Sequence, residues 1–405
     1  MRDNLELEAD LAINGGTPVR ETFLPYGRQS IDEDDIKAVE EVLRSNWLTT
    51  GPEIEKFEEA VCQFTGARYA VAIANGTAAL HAAYHAAGIE SGDEIITTGM
   101  TFAATANAAL YLGAKPVFVD IDPSTGCLDP DKVVEKISDR TKAIVAVDYY
   151  GHPCEADPLN EIAAKANIRL IIDAAHSLGA EYNGKKVGTL ASMTTFSFHP
   201  VKAITTGEGG MIVTDDADLY QRLCTFRTHG IVKSASSFEK PNEGPWYHEM
   251  QMLGFNYRIT DFQAALGKQQ LLKLPAFIHR RGEIAERYRR GLSELQHFKP
   301  LEEKENCRSA YHLFPIIVAK KPRAKYRRLA FEALHRENIG VQVHYIPVYQ
   351  HPFYQKLLAS EVIHCPQTDR FYDGEISLPI FPAMTDGDVD DVLKALRKIE
   401  DRILG

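Results

Sequence analysis

The strongest constraint on the fold is an alternation of short apolar runs with helical patterns between residues 53 and 214. The apolar runs lie at residues 69–74, 94–98, 116–120, 143–149, 169–173, 193–198 and 210–214. Helical patterns lie between them at residues 77–87, 103–111, 131–137 and 158–166. Strands that alternate with helices form parallel sheets that the helices cover. We therefore expect an α/β domain built on a large, mostly parallel, seven-stranded sheet.

The 405-residue chain is longer than one core of this kind needs, so a second domain is expected. A helical pattern from about residue 260 to 295, interrupted near Pro275, would carry the chain out of the large domain. Beyond it, strand patterns at 312–318 and 340–343 mix with helical patterns around 324–337 and 387–403, which predicts a smaller α+β domain. We place the large domain at residues 25–275, the small C-terminal domain at 276–405 and an N-terminal arm at 1–24.

Composition narrows the choice of partners. The formal net charge is −11 and no Lys/Arg-rich run offsets it, which argues against a general nucleic-acid or membrane-surface binder. No apolar run approaches the length of a membrane span. The six cysteines are scattered without ligand spacing, so we expect reduced thiols, no metal site and a cytoplasmic protein.

Lys202 is the residue that points most directly to a chemical function. It lies in a turn between the apolar run that ends at residue 198 and the run at 211–214, and a glycine-rich string follows it. A lysine held beside a cofactor in a desolvated pocket can lose its proton and attack an aldehyde. A solvated surface lysine is the ordinary alternative, but flanking strands would bury this turn.

Two further features follow predicted strands. Asn75, Gly76 and Thr77 come directly after a strand and open a helix, where backbone N–H groups can hold a phosphate. Simple N-capping is the alternative. Asp173 ends another strand, and a buried carboxylate there needs a partner such as a protonated pyridine nitrogen. A structural pairing with backbone or an arginine would explain Asp173 equally well.

Phe102, after the strand at 94–98, could stack on a flat ring, although a core phenylalanine is the commoner case. The string at 254–261 places polar residues, including Asn256, in an apolar neighbourhood, and it could also be only a helix cap. Taken together, a lysine nucleophile, a phosphate cradle, a carboxylate and a stacking ring are what pyridoxal 5'-phosphate requires. We therefore predict this cofactor.

The sequence also resembles a known family. Matching strings lie at residues 13–18, 45–51, 75–78, 173–176, 197–202 and 206–210. They are similar to those of the DegT/DnrJ/EryC1/StrS pyridoxal-phosphate-dependent sugar aminotransferases over nearly the whole chain. Residues 25–32, 199–206, 244–247, 254–261 and 341–348 look like the branch that aminates C4 of UDP-4-keto-6-deoxy-L-AltNAc for pseudaminic acid. The resemblance implies a fold type I, aspartate aminotransferase-like α/β structure and L-glutamate as the amino donor.

Residue roles follow from the same resemblance. It makes Lys202 the lysine that forms a Schiff base with the cofactor and Asp173 the partner of the pyridine nitrogen. His176 would contact the ring, while Ser197, with the backbone of Gly76 and Thr77, would hold the phosphate. Asn256 would reach that phosphate from a neighbouring subunit, which implies an obligate homodimer with shared active sites. The implied substrate contacts are Tyr26, Asn46, Trp47, Leu48 and Thr49, together with Gln342, Val343, His344 and Tyr345.

Three alternatives are weighed against this hypothesis. A sugar 3-dehydrase of the same fold would carry histidine in place of Lys202, so the lysine argues against it. An aminotransferase for another UDP- or dTDP-linked keto sugar differs only in substrate. A non-catalytic regulatory protein of this fold would have no reason to keep Lys202, Asp173, Ser197 and Asn256 together.

Overall fold

The structure is a computed structural model that describes residues 11–404. Its strands are β1 Tyr69–Ile73, β2 Glu94–Thr98, β3 Lys115–Val119, β4 Thr141–Val147, β5 Arg169–Asp173, β6 Glu181–Tyr182, β7 Lys185–Lys186, β8 Met193–Ser197, β9 Gly210–Thr214, β10 Ile231–Val232, β11 Glu249–Met250, β12 Phe298–Pro300, β13 Cys307–Arg308, β14 Phe314–Val318 and β15 Glu375–Leu378. Its α-helices are α1 Glu33–Leu43, α2 Pro52–Thr65, α3 Gly76–Ala86, α4 Ala103–Tyr111, α5 Pro130–Val134, α6 Ala156–Ala166, α7 Ala217–Arg227, α8 Asp261–Leu292, α9 Arg323–Arg336, α10 Pro352–Leu357, α11 Pro366–Gly374 and α12 Asp386–Ile399.

The large sheet has seven strands in the order β1-β9-β8-β5-β4-β2-β3. Strand β9 pairs antiparallel with both of its neighbours, and the other pairs are parallel. These strands are almost wholly buried, as expected for a sheet that helices cover on both faces. The predicted α/β class with a mostly parallel seven-stranded sheet is therefore confirmed, and the predicted bounds of these seven strands lie within two residues of the observed ones.

The parallel strands end at one edge of this sheet, and α3 and α4 begin there. The Asn75 side chain caps α3 by accepting a hydrogen bond from the Ala78 N–H at 2.8 Å. Alanine-rich α3 and α4 bury most of their residues, because small side chains allow a helix to lie close to the sheet. The carboxyl ends of β1, β2, β4, β5 and β8 therefore converge on one region, where ligands collect in such sheets.

A second apolar cluster gathers around the antiparallel sheet β12-β14-β15. It is formed by residues between 284 and 404, but it also includes Leu11 and Leu24. The carboxylate of Glu337 accepts hydrogen bonds from the backbone N–H groups of Ala12 and Val19 at 2.9 and 2.8 Å. The N-terminal segment therefore packs on the C-terminal cluster, while the domain boundaries stay a prediction.

The predicted interruption at Pro275 is wrong, because α8 runs unbroken from residue 261 to 292. Pro275 is exposed, whereas Leu271 and Leu274 are buried on the packed side of the helix. The proline ring therefore lies on the exposed side of the helix and not in its packed face. The helix therefore continues past the proline.

The predicted strand at 340–343 is also wrong. Gln342 makes one isolated bridge with Ser377, and no strand forms there. The polar segment 233–247 joins the short strands β10 and β11 and is largely exposed, as expected for a surface loop. Within residues 11–404 no helix is both long enough and apolar enough to span a bilayer.

Candidate active site

A cavity of about 960 Å³ lies at the carboxyl ends of the parallel strands. That volume is at the upper end of the range typical of ligand sites. His312 and His344, which come from the C-terminal part of the chain, line one wall of this cavity. Ten of the predicted site residues line it: Tyr26, Gly76, Thr77, Phe102, Asp173, His176, Ser197, Lys202, His344 and Tyr345.

Lys202 lies in the turn that follows β8. Its backbone N–H donates to the carbonyl of His199 at 2.9 Å, which closes the turn and directs the side chain to the cavity. Burial lowers the pKa of the Lys202 amine to about 8, and the negative charge of Asp173 partly opposes this. A sizeable fraction of the amine is therefore neutral near physiological pH, as a nucleophile requires.

Asp173 is buried at the end of β5, where it faces the same cavity. Its Oδ2 accepts a hydrogen bond from the Thr105 hydroxyl at 2.7 Å, and its Oδ1 accepts one from the Ala175 N–H at 3.2 Å. Burial raises the pKa of the Asp173 carboxyl, whereas these hydrogen bonds and the charge of Lys202 lower it. A cationic partner in the cavity would favour the ionised form.

The first turn of α3 and the end of β8 form a cradle. Gly76 and Thr77 are the first residues of that helix, whose initial N–H groups have no intrahelical acceptor. A Cβ added to Gly76 would lie only 2.9 Å from the Ser197 Cβ and 3.1 Å from its Oγ. The missing side chain therefore leaves room for an anion beside a serine hydroxyl and a helix N-terminus.

His176 is buried and makes contact with two residues from the C-terminal part of the chain. Its Nε2 lies 3.0 Å from the Tyr345 hydroxyl, and its ring centroid is 4.4 Å from that of His312. Burial, with the positive charge of Lys202, lowers the pKa of both histidines well below the usual value, so both are neutral. A buried Nδ1 of each has no hydrogen-bond partner within residues 11–404. These rings offer polar groups to a planar ligand.

Two more aromatic side chains lie at the cavity. Phe102 is 62% exposed, and its ring centroid lies 6.1 Å from that of Tyr345. The Tyr26 ring lies 5.7 Å from the ring of His344, and burial raises the pKa of its hydroxyl. Phe102 is therefore not the core phenylalanine that the ordinary interpretation would require.

The remaining predicted residues do not line the cavity. Asn46, Trp47, Leu48 and Thr49 are all exposed, and so are Asn256 and Gln342. Val343 is partly buried outside the cavity wall. Within a single chain the structure does not bring this set to Lys202, and their assigned roles stay predictions.

Sequence reasoning missed several residues that support the site. Thr105 and Thr101 form a chain of hydroxyls behind Asp173, with 2.7 Å between their oxygens. Two polar residues of β15, Glu375 and Ser377, are fully buried and bond to His344. Their alternation with Ile376 and Leu378 was a visible signal, because polar residues in a wholly buried strand require partners.

Several known proteins are similar to this chain. An uncharacterized protein of Methanocaldococcus jannaschii is 43% identical, and the spore coat polysaccharide biosynthesis protein SpsC of Bacillus subtilis is 39% identical. A UDP-4-amino-4,6-dideoxy-N-acetyl-beta-L-altrosamine transaminase of Campylobacter jejuni is 40% identical. Each alignment covers 94% of this chain and 98% of the relative.

Two solved aminotransferase structures are also similar to this chain. Helicobacter pylori PseC, described as an aminotransferase of pseudoaminic acid biosynthesis, superposes with a TM-score of 0.88 at 36% identity over 94% of this chain and 100% of that one. The pyridoxal-phosphate form of a putative sugar aminotransferase of Streptococcus pneumoniae gives a TM-score of 0.86 at 28% identity, over 95% of this chain and 100% of that one.

The sheet, the cavity at its carboxyl edge and these solved structures define the class of protein: a fold type I, pyridoxal-phosphate-dependent transferase. Residues 29–397 match the DegT/DnrJ/EryC1/StrS aminotransferase family, and the chain belongs to it. The predicted enzyme class and cofactor are thereby confirmed. The residues present suit that cofactor, because the Gly76 cradle, the Asp173 carboxylate and the Lys202 amine face one cavity.

Proposed function

We propose that the enzyme transfers the amino group of L-glutamate to the C4 ketone of a nucleotide-linked 4-keto-6-deoxy sugar, namely UDP-4-keto-6-deoxy-L-AltNAc. The observation that supports amino transfer is that Lys202 and Asp173 line one cavity of about 960 Å³. The similarity to the Campylobacter transaminase and to PseC supports this choice of sugar.

In this proposal the chain's own residues hold the cofactor. The N–H groups of Gly76 and Thr77 and the Ser197 hydroxyl bind its phosphate, and Asp173 pairs with its ring nitrogen. When bound, pyridoxal phosphate supplies an aldehyde that accepts the amino group and an electron-poor ring that stabilises negative charge on the reacting carbon. His176 contacts the ring, held by its hydrogen bond to Tyr345.

Lys202 is the residue that accepts and returns the proton during amino transfer. Its amine, with a pKa lowered to about 8, is basic enough to accept a proton from the carbon that bears nitrogen and acidic enough to return one. The same amine serves the half-reaction with glutamate and the half-reaction with the sugar. Desolvation in the cavity keeps part of the amine neutral near physiological pH, and the neutral amine is the form that attacks and deprotonates.

Asp173 keeps the ring nitrogen protonated. Its two hydrogen bonds, from Thr105 and Ala175, fix the orientation of the carboxylate and favour its charged form. The burial of this carboxylate raises the strength of its interaction with a cation, because water does not screen it. In this position the carboxylate would hold a proton on the ring nitrogen of the bound cofactor.

We further propose that two copies share each active site. Phe102, Tyr111 and Phe255 are exposed aromatic residues at the mouth of the cavity, and Asn256 follows them on the surface. A second copy that covers these rings would remove apolar surface from water. In this arrangement Asn256 of one copy completes the phosphate site of the other. The unpaired cysteines support a cytoplasmic location.

A second candidate substrate is another keto sugar. The Bacillus relative named for spore coat polysaccharide biosynthesis is 39% identical, almost the same as the 40% of the Campylobacter transaminase. Overall similarity therefore does not separate the two. The alternative is an aminotransferase that acts on a different UDP- or dTDP-linked keto sugar.

The test is incubation of the holoenzyme with L-glutamate and a panel of UDP- and dTDP-linked 4-keto sugars, with products identified by mass spectrometry and NMR. Amination of UDP-4-keto-6-deoxy-L-AltNAc in preference to the other sugars is expected. Preference for another keto sugar would support the second candidate. The absence of any aminated sugar would contradict both.

A further inference from the structure

His344 is held at three points of its backbone and ring. Its backbone N–H donates to Oε2 of Glu375 at 2.8 Å, and its carbonyl accepts a hydrogen bond from the Tyr149 hydroxyl. Its Nδ1 lies 2.9 Å from the Ser377 hydroxyl. The ring lines the cavity, and its Nε2 has no hydrogen-bond partner within residues 11–404. Nε2 is therefore the ring nitrogen available to a ligand.

The hydrogen bonds continue from His344 into the protein. The Ser377 hydroxyl lies 2.6 Å from Oε1 of Glu375, so one unbroken chain joins Glu375, Ser377 and His344. Glu375 and Ser377 are both fully buried on one face of β15. The other face of the strand, with Ile376 and Leu378, packs in the C-terminal apolar cluster. This chain therefore links a buried acid to the cavity wall.

We propose that Glu375 acts through Ser377 to set which hydrogen bond His344 offers the bound sugar: its Nε2 donates while Glu375 carries a proton and accepts once that proton has left. The role of the sugar rests on the proposed function. Glu375 and Ser377 act through another residue, so they are positioning residues rather than catalytic ones.

The proton count of the two states is balanced. When Glu375 is an acid, its Oε1–H donates to Ser377, the Ser377 hydroxyl donates to Nδ1 of His344, and the third proton lies on Nε2. When Nε2 releases that proton to the cavity, each remaining proton moves one place along the chain. Nδ1–H then donates to Ser377, whose hydroxyl donates to the Glu375 carboxylate. One proton leaves and His344 stays neutral in both states.

The burial of Glu375, Ser377 and His344 suits this exchange of protons. Burial raises the pKa of the Glu375 carboxyl to about 8, and hydrogen bonds from Ser377 and the His344 N–H oppose the rise. Burial, with the charge of Lys202, lowers the pKa of His344 to about 3, so the imidazole does not become a cation at neutral pH. The titratable groups that face this chain from other elements are Tyr26, Tyr149, His176, Lys202, His312, Arg327 and Tyr345.

Lys202 is the neighbour that could imitate the effect, because its pKa is also lowered to about 8. Glu375→Gln separates the two. A glutamine can accept the His344 N–H through its carbonyl and donate to Ser377 through its amide, as the acid form of Glu375 does. It cannot lose that proton. A response of His344 to Lys202 would survive this substitution, whereas a response to Glu375 would disappear.

The direct test is ¹⁵N NMR of the holoenzyme labelled at histidine, with the His344 signals assigned by His344→Gln. From pH 6 to 10, wild type is expected to change from an Nε2–H to an Nδ1–H tautomer. Glu375→Gln is expected to stay Nε2–H throughout, and Ser377→Ala to lose the response. A wild-type tautomer that does not change, or that changes equally in Glu375→Gln, would overturn the proposal.

A matched control is Glu94→Gln. Glu94 is also buried and accepts a hydrogen bond from a serine, Ser138, at 2.6 Å, but it does not line the cavity. Its substitution is expected to leave the pH-dependent change of the His344 tautomer as it is in wild type. Loss of that change in Glu94→Gln, as in Glu375→Gln, would show that the effect comes from the total charge of the protein and would count against a specific role of Glu375.

Equilibrium binding then connects the tautomer to the ligand. With UDP-N-acetylglucosamine as probe, calorimetry at pH 6.5 and 9.5 is expected to show an affinity change of about 2- to 10-fold in wild type, the value of one hydrogen bond. Glu375→Gln should remove the change, and UDP alone should not show it. A wild-type enzyme that binds neither probe would contradict the nucleotide-sugar function. The NMR experiment would still decide whether Glu375 acts through Ser377 on the tautomer of His344.

Discussion

The Thr105 hydroxyl donates a hydrogen bond to Oδ2 of Asp173 at 2.7 Å, and the Asp173 carboxylate is the proposed counter-charge for the ring nitrogen. Asp173→Asn keeps the shape but removes the charge, so we expect the cofactor to remain bound and amino transfer to slow on the order of 10²-fold or more. Single-turnover absorbance with L-glutamate measures the effect. Thr105→Val, which removes only one hydrogen bond, should slow transfer much less. A near wild-type rate for Asp173→Asn would refute the role of the charge.

Gly76 is where a single methyl group should disturb cofactor binding. A Cβ at this position would lie 2.9 Å from the Ser197 Cβ, closer than side chains normally approach. Gly76→Ala is expected to raise the dissociation constant for pyridoxal phosphate by about 10-fold or more, because overpacking distorts the cradle. Equilibrium dialysis against the cofactor is the measurement. Gly282→Ala, in a helix with nothing within 4 Å of the added Cβ, is the control and should bind normally.

At the scale of elements, the strands of the large sheet could be predicted because each is a short apolar run between helical patterns. The conformation of the 342–345 segment could not be predicted from such a pattern. Its His344 N–H and carbonyl bond to the side chains of Glu375 and Tyr149 rather than to a neighbouring strand. Sequence pattern shows which residues prefer strands but not which backbone groups a distant side chain will occupy. The predicted interruption at Pro275 was wrong for a related reason, since the exposure of this position was not visible in the sequence.

Strand β15 should also make stability depend on pH. The Glu375 carboxyl has a pKa of about 8 in the folded protein, raised by burial, and an ordinary value near 4.5 when unfolded. The folded state binds more protons between these values, so its contribution to stability is present at low pH and is lost as pH rises through 8. Urea unfolding of wild type and Glu375→Gln at pH 5.5 and 8.5 measures this.

The stability of Glu375→Gln relative to wild type is expected to increase between those two pH values, because the amide cannot ionise. Taking the difference between the two proteins removes the contribution of other titrating groups that they share. A constant difference across the range would mean that Glu375 is already ionised in the folded protein at pH 5.5.

At the scale of the whole molecule, the sharing of active sites can be tested by complementation. Lys202→Ala and Asn256→Ala are each expected to lose most activity. If Asn256 acts across subunits, co-expression of the two variants should restore about a quarter of wild-type activity, since half of the dimers are mixed and each mixed dimer has one intact site. Activity per active-site lysine and mass spectrometry of the mixed dimer are the measurements. No recovery in purified mixed dimers would place Asn256 in its own subunit's site.

The contacts of Glu337 with Ala12 and Val19 have a consequence for how the chain is made. Ala12 and Glu337 are 325 residues apart in sequence, and Leu11 and Leu24 belong to an apolar cluster whose other members come from residues 284–404. During synthesis from the N-terminus, these early residues have no place to pack until almost the last helix has left the ribosome. The large sheet can form first, while the beginning of the chain waits for its end. The segment from residue 11 to 24 therefore packs only after the C-terminal cluster has been synthesised.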